Sequence, residues 1–204
     1  MSKPATSRIA QSPIDDNPFA SRYVRPGAMP YRFEHGHDVE FILRRFEVAG
    51  RRGQIVGPHG SGKSTLLAAL VAALQTGGVP TKIVELHDGC RQLPVDADPP
   101  PGGVFLVDGY EQLSRISRWR LTYRVRSRKA GLIVTTHTPQ RLPTLYTTAV
   151  GEDAAVQLTE QLLARSQRPD CIRTDEVRAL FRTERGNMRE VFFRLYNLYE
   201  SRRS

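Results

Sequence analysis

Nine consecutive residues, Gly57–Thr65, read G-P-H-G-S-G-K-S-T, and they restrict this chain more than any other stretch. Glycine tolerates backbone conformations that a Cβ forbids, so Gly57, Gly60 and Gly62 let the main chain curl until successive N–H groups point inward at an anion. The residues on either side fit that picture. Gln54-Ile55-Val56 reads as a brief strand, and Ser64 to Thr76 (S-T-L-L-A-A-L-V-A-A-L-Q-T) reads as a helix that is apolar all round. Such a helix is expected to lie buried against a sheet, and Gly77-Gly78 stops it. A helix opening at Lys63 would aim the positive end of its dipole at the same anion. The candidate contacts are therefore Gly57, Pro58, His59, Gly60, Ser61, Gly62, Lys63, Ser64 and Thr65.

The remaining pattern predicts a sheet for that loop to sit on. Val39, Phe41, Ile42, Leu43 and Phe46, following Asp38, have the spacing of a short helix. Four more β-like runs follow, at Thr81 to Leu86, Val104 to Val107, Leu132 to Thr136 and, more weakly, Thr144 to Val150. The prolines in D-A-D-P-P-P-G-G, residues 96–103, exclude a helix between the first two of these runs. An arginine-rich helical stretch separates the next two, and three helical segments close the chain near 153–165, 175–182 and 188–201. Strands alternating with helices predict a three-layer α/β/α fold with a mainly parallel five-stranded sheet. Residues 1–35, with Pro4, Pro13, Pro18, Pro26 and Pro30, are expected to be an extended or mobile lead-in. The expected core is 36–150, and 151–204 form a small helical C-terminal lid.

Composition narrows the class further. At 39% hydrophobic and 25% charged, the chain can bury a core. Its longest uncharged apolar run, Leu66 to Leu74, is too short to span a bilayer, so no membrane insertion is expected. The opening M-S-K-P-A-T-S-R lacks an apolar signal segment, and Cys90 and Cys171 have no metal-ligand or redox spacing. These features lead us to expect a reduced, cytoplasmic setting. The net charge is +9, and only four of the thirty basic residues are lysines. That excess of arginine fits either phosphate-facing surfaces or compositional bias with ordinary solvated faces.

With the strand, the helix and every fixed position of G-x-x-x-x-G-K-[ST] present, the chain resembles the P-loop NTPase superfamily over roughly residues 50–150. The resemblance implies ATP and Mg²⁺ as ligands, with Lys63 on the β- and γ-phosphates and Ser64 on the metal. It places a second acidic residue after a later hydrophobic strand, and Val104-Phe105-Leu106-Val107-Asp108 supplies it, making Asp108 the other metal-side group. One strand between the loop helix and the Asp108 strand is similar to the additional-strand ATPase branch. The tandem Asp-Glu of that branch is absent, because Asp108 is followed by Gly109, Tyr110 and Glu111. Glu111 is either the displaced group that polarises water or a solvated glutamate.

Thr136 and His137, at the tip of Leu132-Ile133-Val134-Thr135, stand where that branch carries a γ-phosphate sensor. The Thr-His pair is similar to the switch loop of ABC ATPases, but no L-S-G-G-Q signature accompanies it. R-G-N-M-R-E, Arg185 to Glu190, resembles the last lid helix of bacterial AAA+ proteins, whose arginine would be Arg189. A capping box from Asn187 and Glu190 explains part of that motif without Arg189. The implied function is ATP hydrolysis driving a conformational change on an unknown protein partner, with a homo-oligomer as one form. Two alternatives stand beside it. One is a nucleotide-dependent switch with little turnover. The other is a small-molecule kinase, with Asp88 as base and the Asp108 strand directly beside the loop strand.

Arg115, Arg118, Arg120, Arg124, Arg126, Arg128 and Lys129 form a basic stretch without an acidic residue. Trp119 and Tyr123, four apart, share one helix face. The favoured expectation is a solvated helix whose aromatic face packs on the sheet. Nucleic acid, an acidic partner or a neighbouring subunit's nucleotide are the alternatives for Arg115–Lys129.

Overall fold

A computed structural model of the chain describes residues 16–33, 36–87 and 89–203. Residues 1–15, 34 and 35 of the expected lead-in and the alternative base Asp88 lie outside the described residues. The described residues divide into two compact units, one within 25–150 and the other of 16–24 together with 151–203.

In the larger unit the sheet follows from alternation along each strand. Its strands are β1 (Arg52–Val56), β2 (Thr81–Glu85), β3 (Val104–Asp108), β4 (Gly131–Thr136) and β5 (Thr144–Thr147). Every pairing is parallel, and the order is β2-β3-β4-β1-β5. Parallel neighbours need crossovers. Helix α3 (Lys63–Thr76) supplies one between β1 and β2, and α4 (Arg115–Ser127) supplies another between β3 and β4. The mainly parallel five-stranded α/β/α expectation agrees with this sheet. Because β4 lies between β1 and β3, the direct adjacency required by the kinase alternative is absent.

Successive strand residues face opposite sides, so each strand feeds two cores. Val104 and Leu106 of β3 and Ile133 of β4 join a cluster with Leu66, Leu67 and Leu70 of α3. Ile42 and Phe46, on the helix α2 (Val39–Val48), complete that side; Asp38 caps α2 by accepting the Phe41 N–H at 2.7 Å. Phe105, Val107, Leu132 and Val134 turn the other way, onto Leu121 and Val125 of α4. A fully buried leucine contributes about 1.5–3 kcal/mol, so α3 is fixed chiefly by its leucines. The sheet is thus covered on one face by α2 and α3 and on the other by α4. Residues 31–37 contribute an aromatic group, with Tyr31, Phe33 and His37 packed edge-on around Tyr146 of β5.

The smaller unit is helical. One helical turn, which we label α1 (Ser21–Val24), accompanies α5 (Glu152–Leu163), α6 (Thr174–Thr183) and α7 (Met188–Arg203). Phe19 is buried against Phe192 and Tyr199, and the Asn17 amide donates to Tyr196 O and Glu200 Oε1 at 3.0 and 2.8 Å. Glu152 holds Arg182 at 2.7 and 2.8 Å, joining α5 to α6. Glu176 holds Arg202 at 2.6 and 3.0 Å, joining α6 to α7.

Candidate functional site

β1 delivers the chain into the Gly57–Thr65 loop at the carboxyl end of the sheet, and α3 carries it away. Gly60 and Gly62 take φ of +70° and +87°, left-handed values that favour glycine. Gly57 is required for a different reason: a Cβ there would lie 2.1 Å from Thr148 Oγ1 and 2.7 Å from Ser61 Oγ. Ser61 and Thr148 share a hydrogen bond of 2.6 Å that ties the loop to the segment after β5. Tyr31 closes over the other end, 3.2 Å from where a Cβ on Gly62 would be.

The N-cap of α3 is Gly62, which offers no side chain to the helix end. A helix leaves its first N–H groups without intrahelical acceptors. At this terminus those of Lys63, Ser64 and Thr65 form a positive end suited to an anion. Lys63 is buried, and its ammonium donates to Gly57 O at 2.7 Å and to Pro58 O at 2.8 Å. It also faces His137 Nδ1 at 3.1 Å. With the ammonium as donor, Nδ1 accepts and the ring proton sits on Nε2; Gly57 O, itself an acceptor, is the longer neighbour of Nδ1 at 3.3 Å. Nε2 then donates to Glu111 Oε1 at 2.9 Å. Lys63, His137 and Glu111 thus form one hydrogen-bonded line, and the His59 ring lies 3.6 Å from that of His137. The second oxygen of Glu111, Oε2, is buried and has no partner among the described residues.

Glu111 sits on a 3-10 turn, Tyr110–Gln112, directly after β3. Arg118 of α4 braces that turn. Its guanidinium donates to Glu111 O at 2.8 Å, Leu113 O at 2.9 Å and Gln140 Oε1 at 2.9 Å, and it lies over the Tyr110 ring at 5.0 Å. Burial raises the Tyr110 hydroxyl above its ordinary pKa, with the charges of Arg118 and Arg52 opposing the rise. Arg118 is therefore a positioning group rather than part of a basic surface.

Strand parity decides which polar residues of β4 reach the loop side. Asp108, two residues after Leu106, continues the α3 face of β3; Thr135, two after Ile133, continues the same face of β4. The Thr135 hydroxyl donates to Asp108 Oδ1 and accepts the Gly109 N–H at 2.9 Å. Thr136 continues the opposite face. It is fully buried and donates to Gln54 Oε1 at 3.4 Å. The structure therefore brings Lys63, Glu111 and His137 together, brings Thr135 to Asp108, and turns Thr136 toward Gln54. Arg189 lies on α7 in the other unit, where its N–H donates to Asn187 Oδ1 at 3.2 Å, an N-terminal cap on the second helical residue in place of the expected bond to Glu190.

The Ser64 hydroxyl and Asp108 Oδ2 have no hydrogen-bond partner among the described residues. Both are oxygen donors of the kind a hard divalent cation takes. Among the described residues no group of three or more His, Cys, Asp or Glu side chains could hold a metal by itself. One hydroxyl and one carboxylate suit an ion that arrives with phosphates and water.

No protein-family model and no curated protein matches the chain. Among solved structures it is similar to NtrX from Brucella abortus in complex with ADP, at a TM-score of 0.55 and 15% identity, over 84% of this chain and 52% of that one. It is also similar to the same organism's NtrX in complex with ATP, at a TM-score of 0.55 and 16% identity, over 81% of this chain and 49% of that one. The fold is P-loop NTPase-like. The chain spans about half the length of these structures, and the likeness is one of fold. No helix among the described residues is long and apolar enough to cross a membrane.

Several contacts around the loop carry no mark of their own in the sequence. Thr135 differs from Thr136 only in parity, which counting in twos from Ile133 and from Leu106 resolves. Tyr31 lies in a stretch without apolar periodicity. Arg118 is one of seven cations in Arg115–Lys129, and nothing in the sequence marks it as the one turned inward.

Proposed function

We propose that this chain binds ATP with Mg²⁺ and hydrolyses it, as an AAA+-like ATPase that couples the cycle to a change of conformation against a partner. The observation that carries the reading is the line from Lys63 through His137 to Glu111 at the mouth of the glycine-rich loop. An ammonium that can serve a terminal phosphate is thereby linked to a carboxylate that can orient water, through an imidazole able to respond to either. The order β2-β3-β4-β1-β5, with β4 between the loop strand and the Asp108 strand, supports the additional-strand branch over a kinase.

In this reading the inward N–H groups of Gly60–Thr65 and the α3 terminus bind the triphosphate. Lys63 leaves the Gly57 and Pro58 carbonyls for the β- and γ-oxygens. Ser64 and Asp108 would hold Mg²⁺, with Thr135 fixing the Asp108 carboxylate. When bound between those two residues, the ion would supply neutralisation of the phosphate charge. Glu111 orients the attacking water, and its buried, unpartnered Oε2 is the atom available to accept that water's proton. His137, released by Lys63, reports the γ-phosphate to Glu111. Thr136 enters only through the resemblance, as a γ-phosphate sensor, whereas its observed contact is with Gln54. Arg189 likewise enters only through the resemblance, as a second sensor. A homo-oligomer and a cytoplasmic setting belong to the same reading.

Phosphate release by purified wild type and Glu111→Gln tests it. The ATPase reading expects the variant to retain ATP and to lose at least about a hundredfold in turnover, a typical general-base contribution. Equal, slow release by both proteins would favour a nucleotide-dependent switch instead.

A further inference from the structure

Helix α4 does not present the face that its sequence suggests. Ser117, Leu121 and Val125 form the buried stripe, and Trp119 and Tyr123 point to solvent, 69% and 66% exposed. The expected packing of the aromatic face on the sheet is thus overturned. The two rings stack on one another, with centroids 6.4 Å apart and planes 21° from parallel. Ile116, 65% exposed, lies on the same face.

The cations of this stretch separate into three groups. Arg118 is occupied beneath Glu111, while Arg124 and Arg128 pair with Asp98. Arg115, Arg120, Arg126 and Lys129 are exposed, and none has an ion-pair partner among the described residues. At 100° per residue, Arg115 and Arg126 flank the aromatic stripe on one side and Arg120 on the other. Arg126 also stands close enough to Arg52 for the two charges to disfavour one another, which lowers the Arg52 pKa after the larger effect of its burial. An anion would relieve that repulsion.

We infer that the exposed face of α4 is a binding surface for single-stranded nucleic acid, with bases stacking on Trp119 and Tyr123 and phosphates paired to Arg115, Arg120 and Arg126. Flat aromatic faces bordered by guanidinium groups are the elements of sequence-tolerant strand binding. Arg115 and Arg126 are about 16 Å apart along the helix axis, enough to follow several nucleotides. A duplex is a poorer occupant, because its bases are already stacked on each other. An acidic partner helix would need an aliphatic bed, and this face offers only Ile116. A second copy meeting this face with its own would oppose arginine to arginine. Several carboxylates it could offer from elsewhere, among them Glu40, Glu47, Asp98 and Glu152, already sit in ion pairs.

The chain has a single tryptophan, Trp119, so its emission reports this face alone. The test titrates the full chain with an oligodeoxythymidylate of about 16 nucleotides, the upper end of common site sizes. Trp119 emission is expected to be quenched. The logarithm of the binding constant should fall with the logarithm of salt at a slope of about −2, three phosphates at roughly 0.7 each. By anisotropy of the labelled strand, Trp119→Ala and Tyr123→Ala should each bind at least about tenfold more weakly. Trp119→Phe should bind close to wild type. Arg120→Gln should lower the slope by about 0.7. Circular dichroism melts of the variants should match wild type, because both rings lie outside the core.

Four outcomes would overturn the inference: no binding at low salt, unchanged binding by Trp119→Ala, equal binding of duplex without quenching, or quenching by polyglutamate but not by the strand. The proposal is independent of nucleotide hydrolysis, so Lys63→Ala should bind the strand as wild type does.

Discussion

Replacing Thr135 by valine keeps the shape of the side chain and removes only its hydroxyl. That hydroxyl makes two hydrogen bonds, donating to the Asp108 carboxylate and accepting the Gly109 N–H at 2.9 Å. A bond to a charged group contributes about 1.5–3 kcal/mol and a neutral one about 0.5–1.5 kcal/mol. Asp108 is only partly buried, so water recovers some of the loss, and the expected net cost of Thr135→Val is about 2 kcal/mol. In a chain of this size that corresponds to a fall of about 4–8 °C in melting temperature. Thr136→Val provides the contrast. Its hydroxyl makes one long contact, 3.4 Å to Gln54 Oε1, and that oxygen keeps the Gln140 N–H at 2.8 Å. The expected cost is at most about 0.5 kcal/mol. Thermal unfolding of both nucleotide-free variants, followed by circular dichroism, makes the comparison. Equal costs, or a larger cost at Thr136, would refute the strand-parity argument that brings Thr135 to Asp108.

Other consequences are as direct. Gly57→Ala drives a methyl group onto Thr148 Oγ1 and Ser61 Oγ. It should cost about 1–3 kcal/mol in urea unfolding and abolish ATP binding; near-wild-type values for both would show that the loop is looser than described. If Arg189 acts as the proposed second sensor, Arg189→Ala should slow phosphate release while leaving ATP affinity within about threefold, and an unaffected rate would end that proposal. Contacts of Glu176 with the Arg202 guanidinium and then the Arg173 N–H lower its pKa to about 2. That carboxylate therefore contributes stability above its unfolded value of about 4.3. The contribution is lost as pH falls from there toward 2. The pair is near the surface and contributes about 0.5–1 kcal/mol. Glu176→Gln should reduce stability at pH 7 by that amount and by progressively less as pH falls from about 4 through 2, as measured by urea unfolding.

Much of this molecule is written in local pattern. The glycine spacing of Gly57–Thr65, the leucines of α3 and the short apolar runs of β3 and β4 each dictate their own geometry, and their alternation requires a parallel sheet. Asp108 and Glu111 stand out only through the resemblance, which expects an acidic residue after a hydrophobic strand such as Val104–Val107. Orientation was harder to read. Thr135 and Thr136 are chemically identical neighbours, and only the register of a whole strand distinguishes them. On α4 two stripes compete for the sheet. Ser117, Leu121 and Val125 fit beneath β3 and β4, and Ser117 satisfies its hydroxyl on Arg91 O at 2.9 Å. The bulkier Trp119 and Tyr123 are left outside. Tyr31, Phe33 and His37 lacked any periodic signal because they pack as a local aromatic group on Tyr146, not as a face of a helix or strand.

The proposed function turns on Gly57–Thr65 binding a nucleoside triphosphate with the help of Lys63. Calorimetric titration of ATP with Mg²⁺ into wild type and Lys63→Ala measures it directly. Saturable binding by wild type and at least a tenfold loss in the variant, about 1.4 kcal/mol, are expected. Equal affinities, or no heat from the wild type, would contradict it.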